Sequence, residues 1–225
     1  MGWDIPYGEN GKMVNFWRTF GLKIMAMEIR EYKSSDRDKI CKLFTELSDY
    51  KRDIDFWVWS NRIIGTDDSI VIVATDGDKV IGHYAILPHD MFLNGITFKS
   101  GLGIHAVIHP DYRGKVLMYK IAELAYEIAK ERGIKIIYGF PNINYRNIQV
   151  KIEGWKEVSL FKALEINSSD IKIEKNEYNL VKATDSYSDL FLLDEVISNK
   201  EINHYIRVKK NLKYYRNRYI LHPHN

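Results

Sequence analysis

The chain has 225 residues, 45% of them hydrophobic and 28% charged, which suits one large folded domain or a domain with an appendage and excludes wholesale disorder. With 33 basic and 30 acidic residues the net charge is only +3, so bulk charge selects no partner. A single cysteine, Cys41, rules out an intrachain disulfide and fits a reducing compartment, and a cytoplasmic location is expected. No stretch approaches the roughly 18 uninterrupted apolar residues of a membrane span. The apolar part of residues 1–26 is broken by Arg18 and Lys23, with no clean run before a cleavage site. These residues read as an N-terminal extension, and an unused upstream start codon would account for them equally well.

From Met27, "MEIREY" alternates apolar and polar residues and predicts a strand. "SSDRDKICKLFTELS" follows, with Ile40, Leu43, Phe44 and Leu47 at helical spacing behind Ser34, Ser35 and Asp36 as cap candidates. A second amphipathic helix is expected in "DIDFWVWSNRIIG", closed by Gly65. In "SIVIVATDGDKVIGHYAIL" two β-rich runs flank Asp-Gly, which predicts a hairpin because those residues accept positive φ. "ITFKSGLGIHAVIHP" reads as a short strand, a glycine break and a strand over 102–108 that Pro110 closes. The best helix is "KVLMYKIAELAYEIAKERG". Leu117, Ile121, Leu124 and Ile128 form its stripe, Ala122, Ala125 and Ala129 thicken it, and Gly133 stands at its C-terminal cap. "IKIIYGF" is apolar throughout, as a central strand would be, "PNINYRNIQVKIEGW" reads as a loop and short helix, and "KEVSLFKALEI" as a last strand region. The order β-α-α-β-β-β-α-β-α-β defines a mixed α/β (α+β) layer architecture.

The chemistry concentrates in "AVIHPDYRGKVLM", a strand end, a turn and a helix start. A helix N-terminus offers unpaired amides and the positive end of its dipole, which suits a phosphate. The candidate donors are the amides of residues 113–118, with Arg113 and Lys115 adding charge. "GLGIHA", residues 101–106, satisfies the G-x-G-x-x-A dinucleotide pattern but leads into a strand rather than a helix, so that reading is rejected.

"VIHPDYRGKVLMYKIAELAYEIAKERGIKIIYGFPNINYRNIQVKIEGWKEV" resembles the GNAT superfamily of acyl-CoA N-acyltransferases. Members carry an R-x-x-G-x-G/A loop and often "HPDYRGKG" nearly verbatim. The resemblance spans about residues 27 to 165. It implies a mixed, largely antiparallel central sheet with helices on both faces, plus N- and C-terminal extensions, and direct transfer of an acetyl group from acetyl-CoA to a primary amine of a small molecule, sugar or peptide. It also implies that Ala106, Val107 and Ile108 bind the pantetheine arm through their backbone, that Arg113, Gly114, Lys115, Val116, Leu117 and Met118 form the pyrophosphate loop, and that Asn144 contacts the cosubstrate. No metal is expected.

Three positions depart from the family pattern. Val116 and Met118 replace the loop's small residues and add bulk near the pyrophosphate. Val150 occupies the place of a helix tyrosine that often protonates the leaving thiolate, which leaves Tyr145 as the nearest phenol. His105, with an ordinary pKa of about 6.5, is the candidate general base; His109 reads as structural, and His83 could face the same cleft. These departures keep open a non-catalytic module that binds acyl-CoA.

Residues 166–225 read as a C-terminal appendage, weakly similar to the start of a second GNAT-like half. Its end, "INHYIRVKKNLKYYRNRYILHPHN", holds six Lys or Arg and interleaved tyrosines, with the single acid Glu201 just before it. It is read as an amphipathic helix in which Ile206, Leu212 and tyrosines pack on the main domain, in preference to a nucleic-acid-binding tail. The sequon at 167–169 would be idle in a cytoplasm. A homodimer remains open.

Overall fold

The computed structural model describes residues 27–47, 54–61, 69–113, 115–158, 206–208 and 210–223. Within them the chain runs β1 (Met27–Glu31), a 3-10 turn (Ser34–Asp36), α1 (Arg37–Leu47), α2 (Ile54–Ser60), β2 (Ile70–Asp76), β3 (Lys79–Leu93) and β4 (Ile96–Ile108). A second 3-10 turn (Pro110–Tyr112), α3 (Lys115–Glu131), β5 (Ile136–Gly139) and α4 (Ile143–Lys151) follow, and near the C-terminus β6 (Arg207–Val208), α5 (Leu212–Tyr215) and a π-turn (Arg216–Ile220). The sheet order is β1-β2-β3-β4-β5, antiparallel except for the parallel β4–β5 pair, and β6 adds to β3. No described helix is long and apolar enough to cross a membrane.

Strand alternation sorts the core onto two faces. Ile70, Ile72, Ala74, Ile81, Tyr84 and Ile86 meet Met118, Ile121, Ala122, Ala125 and Ala129 of α3 on one face. Val71, Val73, Val80 and Ala85 meet Ile40, Leu43, Phe44 of α1 and Trp57 of α2 on the other. The small alanines let α3 lie close to the sheet, so its most buried line passes through Met118 and the alanines, while Leu117, Leu124 and Ile128 are only partly buried. The α3 helix stops where Gly133 takes φ +77°.

The predicted hairpin forms, with Gly77 at φ +56°. A second hairpin, at Asn94 and Gly95 (φ +49° and +82°), joins β3 to β4 and is missing from the sequence reading. The predicted glycine break in β4 is absent. Gly101 lies inside a continuous strand because a Cβ there would stand 2.5 Å from Ile86 Cγ2 on β3. Asp36 does not cap α1; it is buried and bidentate with Arg30 (2.7 and 3.1 Å), and accepts the Lys33 amide at 2.7 Å. The apolar β5 ends the described sheet order, with Ile136 partly exposed. The predicted last strand region, 156–166, lies outside the described residues from 159 onward, as do Gly65, most of the appendage and residues 1–26.

The described part of the C-terminal segment packs on the domain, although as a short strand, a short helix and a π-turn rather than as one amphipathic helix. Val208 and Arg207 pair with Met91 and Phe92, Trp59 Nε1 donates to the Asn217 carbonyl at 2.8 Å, and the Arg218 guanidinium lies 4.8 Å from the Trp59 ring. Ile206, expected to pack, is exposed.

The Arg30 guanidinium, as hydrogen-bond donor, holds the Asp36 carboxyl below the usual carboxylate range. Removing one partner of such a pair leaves a part-buried charge, so Asp36→Asn should cost about 2–3 kcal/mol at neutral pH by urea denaturation. Because the folded pKa is depressed, the wild-type advantage is present above the unfolded value of about 3.9 and disappears as pH falls through the folded one.

Candidate active site

The cleft arises from the way two neighbouring parallel strands end. β4 and β5 pair from Ser100–Ile136 to Gly103–Gly139. Beyond Gly139 come Phe140 and Pro141; proline offers no amide to a ladder and keeps its predecessor out of the helical region, so the chain leaves the sheet. Asn142 then caps α4, its side chain accepting the Tyr145 amide at 2.9 Å. β4 meanwhile continues to Ile108, and among the described residues no strand pairs with residues 104–108 on the side away from β3.

β4 also changes shape at this point. Its register with β3 jumps from Ala85–Ile104 to His83–Val107, so His105 and Ala106 both lie opposite Tyr84 in a β-bulge. His105 carries φ +55°, a left-handed conformation uncommon for a non-glycine residue. Buried His83 donates from Nδ1 to the His105 carbonyl at 2.9 Å, which fixes the proton of His83 on Nδ1. The bulge puts two consecutive residues on one face: Ile104 joins the α1-side cluster, and the His105 ring stands 5.5 Å edge-on from Phe44 of that cluster.

The resulting cleft holds about 200 Å³. Gly103, Ile104, His105 and Ala106 form one wall, and Gly139, Phe140, Pro141 and Asn142 the other, with Tyr84, Tyr145 and Gln149 at the base. Two expected participants therefore meet here, His105 and Tyr145, together with Ala106. Val107 and Ile108 send their side chains to opposite core clusters, which leaves only their backbone toward the open edge.

At the end of β4, the 3-10 turn is tied back to the sheet. Tyr112 donates its hydroxyl to Asp76 Oδ2 at 2.7 Å, and His109, buried as expected of a structural residue, lies 2.8 Å from Lys79 Nζ. The Arg113 amide is spent on the Pro110 carbonyl at 3.1 Å, so it is not a donor to a ligand. The first-turn amides of Lys115, Val116 and Leu117 are left as donors, while that of Met118 enters the helix ladder. Met118 does not crowd a phosphate floor: its side chain is 4% exposed and belongs to the core. Val116 is 61% exposed at the helix start, and Gly114 lies outside the described residues. Asn144 is exposed and away from the cleft wall, where Asn142 stands instead; Val150 is likewise exposed.

Behind the cleft is a polar cluster that the sequence reading missed. The hydroxyls of Tyr126 on α3 and Tyr145 on α4 both donate to Glu153, at 2.6 and 3.0 Å, and Trp155 Nε1 donates to the Tyr126 oxygen at 3.0 Å. Gly154 (φ +75°) makes the turn that sets Glu153 and Trp155 beside each other. Burial raises the pKa of both phenols and of Glu153. The available signal was a carboxylate in the otherwise weakly amphipathic "KIEGW" and a tyrosine on the α3 face, neither of which points to the other.

With this geometry in place, comparisons with known proteins give the family. A model of the acetyltransferase (GNAT) domain matches residues 28–151, and the chain belongs to that family. Solved structures similar in fold include glucosamine-6-phosphate N-acetyltransferase from Arabidopsis thaliana (20% identity, TM-score 0.51, 63% of this chain and 99% of that one). An acetyltransferase from Trypanosoma brucei is similar at 17% identity (TM-score 0.52, 63% and 100%). A predicted acetyltransferase from Clostridium acetobutylicum, solved with acetyl-CoA, is similar at 20% identity (TM-score 0.51, 66% and 100%). No curated protein matches the chain.

A Cβ on Gly103 would stand 2.4 Å from the Tyr84 hydroxyl, which is itself buried. Gly103→Ala should therefore push Tyr84 into the cleft and destabilise the fold by about 1–3 kcal/mol, measured by urea denaturation.

Proposed function

We propose that the protein transfers the acetyl group of acetyl-CoA directly to a primary amine on a small molecule, sugar or peptide. The observation that carries this reading is the open edge of β4 over residues 104–108, continuing into the first-turn amides of α3. An extended pantetheine arm can add to that edge as a strand would, and the amides at its end suit a pyrophosphate. Exposed Arg113 stands at the same end. Gly103 and Gly139 keep the strands within reach of each other at the base, where the thioester would lie. Bound acetyl-CoA supplies an acyl group whose carbonyl carbon a neutral amine can attack.

The protein's part is to place the amine, take its proton and protonate the departing sulfur. His105 is the base: the residue lines the cleft, and the bond from His83 to its carbonyl holds the bulge that places it there. Tyr145, at the base of the cleft, is the group assigned to the sulfur. Val116 is exposed at the helix start and leaves the first-turn amides available, which supports retained binding.

Two measurements test the reading. Calorimetric titration with acetyl-CoA should show micromolar binding, and a panel of amines should include one that drives thiol release. No binding would sink the proposal, and binding with no thiol release for any amine would make the protein a non-catalytic module. For the base, His105→Asn is the informative variant, because asparagine tolerates positive φ and preserves the bulge. It should lower kcat about 10²-fold and flatten the acidic limb of the pH profile. An unchanged limb would remove His105 from this role.

A further inference from the structure

Tyr145 cannot act alone as the acid that the proposed function requires. Trp155 can only donate, so its bond to the Tyr126 oxygen directs the Tyr126 proton to Glu153. With Glu153 ionised, the Tyr145 proton is also committed to it, away from the cleft. Were Tyr145 to release that proton, a phenolate would remain 3.0 Å from a carboxylate in a half-buried site. A phenol of ordinary pKa about 10 already gives its proton uphill to a thiolate of about 8.5, and the adjacent charge makes the transfer worse.

A proton on Glu153 reverses the geometry. Its O–H then needs an acceptor, and the Tyr145 oxygen is the phenol oxygen that receives no indole N–H. Tyr145 turns from donor to acceptor toward Glu153, and its own hydrogen is released toward the cleft.

We propose that Glu153 is the positioning residue and proton source behind Tyr145, passing its proton to the Tyr145 oxygen as Tyr145 passes its own to the departing sulfur. The inference rests on the acetyl-transfer reading above. In the step, the carbonyl carbon–sulfur bond breaks with its electron pair going to sulfur. The Tyr145 O–H bond breaks as the S–H bond forms, and the Glu153 O–H bond breaks as a new Tyr145 O–H bond forms. Tyr145 ends neutral, the charge rests on the Glu153 carboxylate, and a solvent proton restores it. Even with its pKa raised by burial, a carboxylic acid is a better proton donor to a thiolate than a phenol is, so the relay succeeds where the lone phenol fails.

The surroundings favour this cycle. The titratable groups facing Glu153 are Tyr126 from α3 and Tyr145 from α4, with Tyr84 from β3 behind them, its ring 6.1 Å from that of Tyr126. Burial raises the Glu153 pKa above the ordinary carboxylate value, which favours its protonated form, while the phenol hydrogen bonds pull the other way. Burial also keeps both phenols neutral.

The test uses Glu153→Gln, which keeps the shape and hydrogen-bonding capacity but has no proton to give. It should lower kcat about 10²-fold with KM for acetyl-CoA nearly unchanged. It should also abolish the decline of kcat on the alkaline side of the Glu153 titration, and add nothing in a Tyr145→Phe background. Tyr126→Phe removes a bond that lowers the Glu153 pKa, so it should move that limb to higher pH. A wild-type kcat and pH profile in Glu153→Gln, additive losses in the double variant, or an unmoved limb in Tyr126→Phe would each overturn the proposal. Infrared difference titration of the full chain without substrate reads the same group independently of turnover. A protonated-carboxyl band should persist above the ordinary carboxylate range and vanish in Glu153→Gln. If the wild type turns over no amine but shows this band, the acetyl-transfer reading fails while the retained proton stands; if amines are acetylated without the band, the relay fails alone.

Discussion

The hydrogen bond from His83 Nδ1 to the His105 carbonyl holds the bulge on which the cleft depends. His105 at φ +55° costs about 1–3 kcal/mol in backbone strain, and the surrounding structure over-determines it. His83 is wholly buried beneath it, and Phe44 meets both imidazoles edge-on at 5.2 and 5.5 Å. The extra residue lets β4 keep its ladder with β3 on both sides of the bulge while presenting His105 and Ala106 to the cleft. Pro141, just beyond β5, completes the separation by ending the partner strand. Strand backbone that would otherwise be consumed in a β4–β5 ladder is therefore left facing the cleft.

The same constraint links distant parts of the chain. Trp57 of α2 lies 6.1 Å from His83, so α2 backs the histidine pair. Trp59, two residues on, receives the C-terminal segment through Asn217, Arg218 and His222. The appendage thus buttresses the helix behind the bulge, and β6 extends the sheet at the far end of β3. Its positive charge is partly used in stacking on an indole, a packing role for an arginine in a basic tail.

What was legible in the sequence was local. The Asp-Gly hairpin, the α3 stripe with its terminal glycine, and the β4–turn–α3 junction each have short-range signatures, and they lie where the sequence puts them. The bulge had none, because its left-handed residue is a histidine rather than a glycine. Gly101 and Gly103 looked like a break although they serve close contacts with Ile86 and Tyr84 across the sheet. Met118 sat at a motif position, yet a residue pointing from the first turn toward the sheet is taken by the core. The Tyr126–Glu153 bond joins residues 27 apart in sequence, and only the fold brings α3 and the end of α4 together. The sequence marks Val150 as standing in place of a family tyrosine, but nothing in it pairs Glu153, three residues later, with Tyr126 and Tyr145.

We propose that the edge of β4 beyond Gly103 and the first turn of α3 form one binding surface for acetyl-CoA. Amide hydrogen exchange, with and without acetyl-CoA, tests it directly. Slowed exchange confined to residues 104–108 and 115–117, with β1 unchanged, is the predicted result; unaltered exchange at both segments under saturating acetyl-CoA would contradict it.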